Sequence, residues 1–155
     1  MSAESDFIEM MRGYARDPAA RGLFDDAAVV GIGGENLVLT HDMIVEGVHF
    51  LAADSPADIG WKLAAVNLSD LAAKGATPRG ALLGYALAGA ASQAAAFANG
   101  LAEALDRFAC TLLGGDTVAT PPGTPRSFGL TAIGMSDHAP SRAGALPGDT
   151  HWLGG

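Results

Sequence analysis

Hydrophobic positions along the chain alternate between short strand-like runs and longer stretches of helical period. Residues 5–17 set Phe7, Ile8, Met10, Met11 and Tyr14 on one helical face, and Pro18 predicts the end of that helix. Ala27-Ala28-Val29-Val30-Gly31-Ile32 predicts a strand, which Gly33-Gly34-Glu35-Asn36 turns into Leu37-Val38-Leu39-Thr40 as a hairpin. A polar stretch at 42–50 follows. Ser55-Pro56 then opens a helix with proline in its first turn, running to about Lys74 and stopping at Gly75. Ile59, Leu63, Val66 and Leu71 form its buried face.

Beyond that helix, residues 79–87 read as a strand that ends at Gly89, and residues 92–108 as an alanine-rich helix with Phe97, Leu101 and Leu105 on one side. Thr111-Leu112-Leu113 predicts a strand emptying into Gly114-Gly115-Asp116, and Pro121-Pro122-Gly123-Thr124-Pro125 an exposed turn. Residues 127–135 alternate as a last strand. Strands interleaved with two amphipathic helices predict an α/β (α+β) domain, a mixed sheet with helices on one face. The other face then needs cover, most simply from a second subunit.

Composition narrows the function. The chain has 155 residues, 49% of them hydrophobic and 17% charged, which suits one domain with its own core and excludes disorder. A net charge of −8 with only Lys62 and Lys74 as lysines leaves no basic surface for a nucleic-acid backbone. An acidic protein still binds anionic ligands when divalent cations sit between carboxylate and phosphate. The most apolar long stretch, residues 80–100, is too rich in glycine and alanine to predict a membrane span. The acidic N-terminus shows no signal-peptide pattern, and the single cysteine, Cys110, in an apolar run, reads as a packed thiol in a reducing cytoplasm.

The chemistry concentrates in aspartates. Asp25-Asp26 precedes the first strand, Asp42 follows Leu39-Thr40-His41, Asp70 closes Asn67-Leu68-Ser69-Asp70, and Asp116 follows Leu113-Gly114-Gly115. Carboxylates at element ends beside glycines suit hard cations with oxygen ligands, and Mg2+ needs only one or two carboxylates together with substrate phosphates. Taken singly, each aspartate reads more readily as a helix cap or turn residue than as a ligand. Asp70 differs, because it lies on the inner part of an apolar helix where an unpaired charge is costly. No P-loop or nucleophile-elbow pattern occurs, and the four histidines lack zinc spacing. From spacing alone, His49 reads as a satisfied, half-buried histidine.

Four segments carry a resemblance: Asp42-Met43-Ile44-Val45-Glu46-Gly47-Val48-His49-Phe50, the helix from Ile59 to Ala76 with its Asn67-Leu68-Ser69-Asp70-Leu71-Ala72-Ala73 core, Leu113-Gly114-Gly115-Asp116-Thr117, and Ser141-Arg142-Ala143-Gly144-Ala145. In this order they resemble the thiamine-monophosphate kinase family of the aminoimidazole ribonucleotide synthetase-like superfamily. The resemblance implies in-line, Mg2+-assisted transfer of the ATP γ-phosphoryl group to thiamine monophosphate, giving thiamine diphosphate, without a covalent enzyme intermediate. Carried over by motif, it implies Asp26, Thr40, Asp42, Asp70 and Asp116 as Mg2+ ligands. Gly115, Asp116 and Arg142 would lie against ATP, and His49 against the thiamine phosphate.

It also implies an N-terminal ATP- and Mg2+-binding domain over residues 1–140, with 141–155 beginning the connection to a second domain absent from this chain. By the same resemblance the sheet pairs with that of another copy to close a barrel in a cytoplasmic homodimer, and turnover by this chain alone is impaired. Two departures stand out: Phe24 and His41 replace the family's usual glycine and threonine. The competing readings are a synthetase or maturation enzyme of the same superfamily, and a dimerising domain whose aspartates only cap helices and turns.

Overall fold

The computed structural model describes residues 2–87 and 91–150. Three helices, α1 (Ala3–Arg12), α2 (Pro56–Ala73) and α3 (Ala91–Arg107), combine with five strands, β1 (Ala28–Ile32), β2 (Glu35–Val45), β3 (Thr77–Leu87), β4 (Leu112–Ala119) and β5 (Ser127–Ser136). The strands form one sheet in the order β1-β2-β5-β3-β4. β3 and β4 run parallel through the α3 crossover, and the other neighbours are antiparallel, so the sheet is mixed.

The expected hairpin forms with a tighter turn and a longer second strand. Gly33 and Gly34 both have positive φ, 61° and 94°, the conformation a two-residue turn between antiparallel strands requires. β2 then continues to Val45 instead of stopping at Thr40. Asp42 is therefore inside a strand, paired with Leu130, and not after its end. Asp116 likewise falls within β4, because the strand runs on through Gly114 and Gly115. In both places the ladder to the neighbouring strand overrides local turn chemistry. The predicted strand end at Gly89 lies outside the described residues.

α2 and α3 cover one face of the sheet. Alternation along β5 turns Phe128, Leu130 and Ala132 toward the helices, where they meet Ile59, Leu63, Leu71, Phe97 and Leu101 in one core. Phe97 packs edge-on against Tyr85 and 4.5 Å from the Phe128 centroid. Val66, expected in this core, is only half-buried because the inward stripe passes through Ala64, Asn67 and Leu68. The two helices cross almost backbone to backbone. A Cβ on Gly100 would stand 1.9 Å from the Ala57 carbonyl oxygen, and one on Gly60 2.2 Å from that of Phe97.

α1 departs from expectation. It ends at Arg12, capped by Gly13, and none of its residues is buried. Phe7, Met10 and Tyr14 stay exposed; an apolar stripe predicts a helix face but not a partner for it. Cys110 is buried as expected, at the turn before β4 and not within a strand, and burial pushes its thiol pKa up. None of the described helices is long and apolar enough to cross a membrane.

A buried ion pair joins the segments flanking the sheet. Lys74, just past α2, donates to Asp25 and to the Pro140 carbonyl, while Arg21 donates to the other Asp25 oxygen at 2.7 Å and to the Ala139 carbonyl. The side chains of Asp25 and Lys74 are 2% and 5% exposed, so each depends on the other for compensation. Burial alone would raise the Asp25 pKa, but the bonds from Lys74 and Arg21 outweigh it and hold the carboxyl at about 2.

Helix crossing and buried pair each set a stability test. Gly100→Ala is expected to cost about 1–3 kcal/mol in denaturant unfolding, because the helix backbones must separate. Gly144→Ala, whose Cβ meets nothing within 4 Å, should be near neutral. The depressed Asp25 pKa contributes stability above the ordinary carboxylate value of 3.8 that is lost as pH falls toward 2. Metal-free protein should thus lose about 2 kcal/mol across that window. Asp25→Asn should remove this acid dependence and cost about 3–5 kcal/mol at neutral pH by stranding Lys74.

Candidate functional site

The site grows from the contact between β2 and the C-terminal half of α2. Thr40 and Asp42 are two apart on β2 and so share the face toward α2, with Thr40 only 3% exposed. Asn67 and Asp70 are three apart on α2 and so share the helix face toward β2. Asn67, fully buried, accepts from the Asp42 backbone N–H at 3.0 Å and donates to the Leu63 carbonyl. That bridge sets the register of helix on strand. One turn later the Thr40 hydroxyl donates to Asp70 Oδ2 at 2.9 Å.

The electrostatics here are lopsided. Burial raises the Asp70 pKa, the Thr40 bond opposes this, and the nearby charges of Asp42 and Asp26 raise it further. Lys74 gives only a distant counter-attraction, since its ammonium is bound to Asp25. Asp26 pairs with exposed Arg142, which reaches back from the segment after β5. Among the described residues, no three His, Cys, Asp or Glu side chains are grouped to hold a metal ion on their own. The donors at hand are carboxylate and hydroxyl oxygens, a hard set suited to Mg2+ that keeps waters and takes further oxygens from a phosphate.

The structure bonds Thr40 to Asp70, sets Asp42 and Asp26 within electrostatic reach of Asp70 with Arg142 paired to Asp26, and sets Asp116 apart. Asp116 pairs with Gly84, Gly84 with Gly129, and Gly129 with Met43, so Asp116 lies in the row of Met43, on the face away from α2. Three strand spacings of about 4.8 Å separate that row's ends, so one ion cannot bridge Asp42 and Asp116. Gly115 shares the helix-side row of Asp42, through Leu130 and Leu83. A Cβ at Gly115 would lie 1.9 Å from the Leu83 carbonyl oxygen, so only glycine lets β4 lie this close. On the far face a 270 Å³ cavity is lined by His41, Met43, Asp116, Val118 and Ser127.

His49 stands in the turn after β2. It is exposed, not half-buried as spacing alone predicts, and its Nδ1 accepts from the Val45 backbone N–H at 3.0 Å. Sequence reasoning missed the roles of Asn67 and Lys74, and it singled out Asp25 without its buried pairing to Lys74. The spacing of Asn67 and Asp70 on an otherwise apolar helix face is the signal that could have found the first.

Comparison with known proteins fits this arrangement. The thiamine-monophosphate kinase of Caulobacter vibrioides is 42% identical over 159 residues, spanning 98% of this chain and 45% of that protein. That of Synechococcus elongatus is 44% identical over 114 residues, spanning 71% and 34%. The chain thus spans less than half the length of either relative. The solved structure of AaThiL complexed with AMPPCP and TMP superposes with a TM-score of 0.83 at 27% identity, over 94% of this chain and 47% of that one. Residues 24–136, nearly all of the sheet and both covering helices, match the family described as AIR synthase related protein, N-terminal domain, and this chain belongs to that family.

Proposed function

We propose that the chain forms the nucleotide- and metal-binding half of a thiamine-monophosphate kinase. The observation that carries this reading is Asp70, bonded to Thr40, within electrostatic reach of Asp42 and Asp26 and lacking a cation of its own. Carboxylates within electrostatic reach of one another repel, and a divalent ion relieves that repulsion. The similarity to thiamine-monophosphate kinases narrows the substrate class.

Asp26, Asp42 and Asp70, with Thr40, would hold Mg2+, which when bound neutralises charge on the phosphates. Phosphoryl transfer depends mainly on positioning and charge stabilisation, so no nucleophile is required of the protein. Thr40 and Asn67 keep the carboxylates in register. Arg142, swinging from Asp26, offers a planar two-donor fork to an ATP phosphate. Gly115 gives the nucleotide close access to backbone, and Asp116 would hold a separate Mg2+ that in turn meets an ATP phosphate from the β4 side. His49 faces the phosphate of thiamine monophosphate. Residues 1–140 act as the N-terminal domain and 141–155 lead toward a second one.

The bare face of the sheet, with Met43, Leu82 and Val118 exposed, is proposed to pair with another copy and close a barrel. The cytoplasm is the proposed compartment, which the unpaired Cys110 suits.

Thermal unfolding tests the site. Mg2+ with a nonhydrolysable ATP analogue, at about a hundredfold excess over Kd, should raise Tm by roughly 5–10 °C. Asp70→Asn should abolish that gain. It should also leave the metal-free protein as stable or more so at neutral pH, since a raised pKa means that the fold disfavours the ionised carboxylate. No ligand-induced rise, or one that survives Asp70→Asn, would count against the reading.

A further inference from the structure

We propose that Arg126 is a positioning residue that presents His49 to the substrate as a neutral Nε2–H donor, an inference resting on the proposed kinase reading. Arg126 lies just before β5 and is fastened at three points to the segment between β2 and α2. Its Nε donates to Glu46 Oε2 at 2.7 Å, and its terminal nitrogen donates to the Ala52 carbonyl at 3.2 Å. Its guanidinium carbon lies 5.2 Å from the centroid of the buried Phe50 ring. The backbones close the same junction, with the Glu46 N–H donating to the Arg126 carbonyl at 2.9 Å.

These fastenings bracket His49. Glu46 and Ala52 stand on either side of it in the chain, and Phe50 follows it directly. Between them the turn is tight: the Gly47 N–H donates to the Phe50 carbonyl at 2.8 Å, and the His49 N–H to the Val45 carbonyl at 2.9 Å. Lys62 of α2 donates to the His49 carbonyl. The imidazole is thereby folded back so that Nδ1 accepts from the Val45 N–H. A ring nitrogen that accepts carries no proton, so in the neutral ring the proton sits on Nε2, which is left free to donate outward. An exposed histidine otherwise samples both tautomers and several rotamers. Here the tautomer depends on the turn, and the turn depends on Arg126.

The pair is part-buried, and its planar fork fixes direction as well as charge. The Arg126 and Glu46 side chains are 14% and 25% exposed, and Arg126 holds Glu46 below its ordinary pKa chiefly through their hydrogen bond. What the pair supplies is geometry at a neighbouring residue.

Long-range 1H–15N spectra of the chain at about pH 8, above the ordinary histidine range, read the tautomer directly. The wild-type His49 ring should show distinct unprotonated Nδ1 and protonated Nε2 signals. In Arg126→Ala the two should move toward each other as tautomers exchange. Arg126→Lys, which keeps charge beside Glu46 but loses the planar fork, should fall between, and it decides the matter alone if the alanine variant does not fold. Titration with thiamine monophosphate should show about tenfold weaker binding in Arg126→Ala, with affinity for the Mg2+-nucleotide analogue unchanged. An unchanged His49 pattern in every folded variant overturns the assignment. Wild-type protein that shows the tautomer lock but binds no thiamine monophosphate sinks the kinase reading while leaving the positioning role standing.

Discussion

Everything at the candidate site depends on one crowding of like charge. Asp26, Asp42 and Asp70 come from a loop, a strand and a helix, and among the described residues the only one of them with an ion-pair partner is Asp26, which holds the exposed Arg142. Lys74, a buried cation one turn along α2 from Asp70, is occupied by Asp25 and the Pro140 backbone carbonyl. Thr40 contributes a hydroxyl, enough to orient Asp70 but not to offset its charge. A fold that spends its one buried lysine on a structural pair and leaves a neighbouring carboxylate without a cation is arranged to receive its positive charge from outside.

The same lysine explains why these segments meet. Through Asp25 it fixes the residue next to Asp26, and through the carbonyls of Ala139 and Pro140 the Arg21–Lys74 group fixes the segment that carries Arg142. The Ser136 hydroxyl donates to the Lys74 carbonyl and accepts from the Ala139 N–H, which closes the arrangement. Structural pairing and candidate chemistry thus lie side by side along the chain, Asp25 with Lys74 and Asp26 with Arg142. The first is shielded and rigid, and the second is exposed and able to exchange its partner for a phosphate.

Much of this was legible in the residues. The helix over Pro56–Ala73 and the inward stripe of α3 follow from apolar period and from proline and glycine punctuation, and Asp70 betrayed itself as a charge on a buried stripe. What stayed hidden was long-range. No local pattern shows that β2 continues past Thr40, because the continuation depends on pairing with β5, more than eighty residues away. Nor does any show that Asp116 faces away from Asp42, since which face a strand residue takes depends on register. The apolar face of α1 was read correctly as a pattern, yet nothing among the described residues buries it. Asn67 could be found by spacing, whereas the role of Arg126 emerges only once the turn bearing His49 is closed around it.

The most direct measurement replaces Mg2+ with paramagnetic Mn2+ and follows the amide signals of the chain during titration in the presence of a nonhydrolysable ATP analogue. Broadening should appear first at Asp26, Asp42 and Asp70, on the α2 side of the sheet, and reach Asp116 only later or more weakly. Broadening spread evenly over the acidic surface, or centred on Asp116 and the face beside His41, would contradict the account.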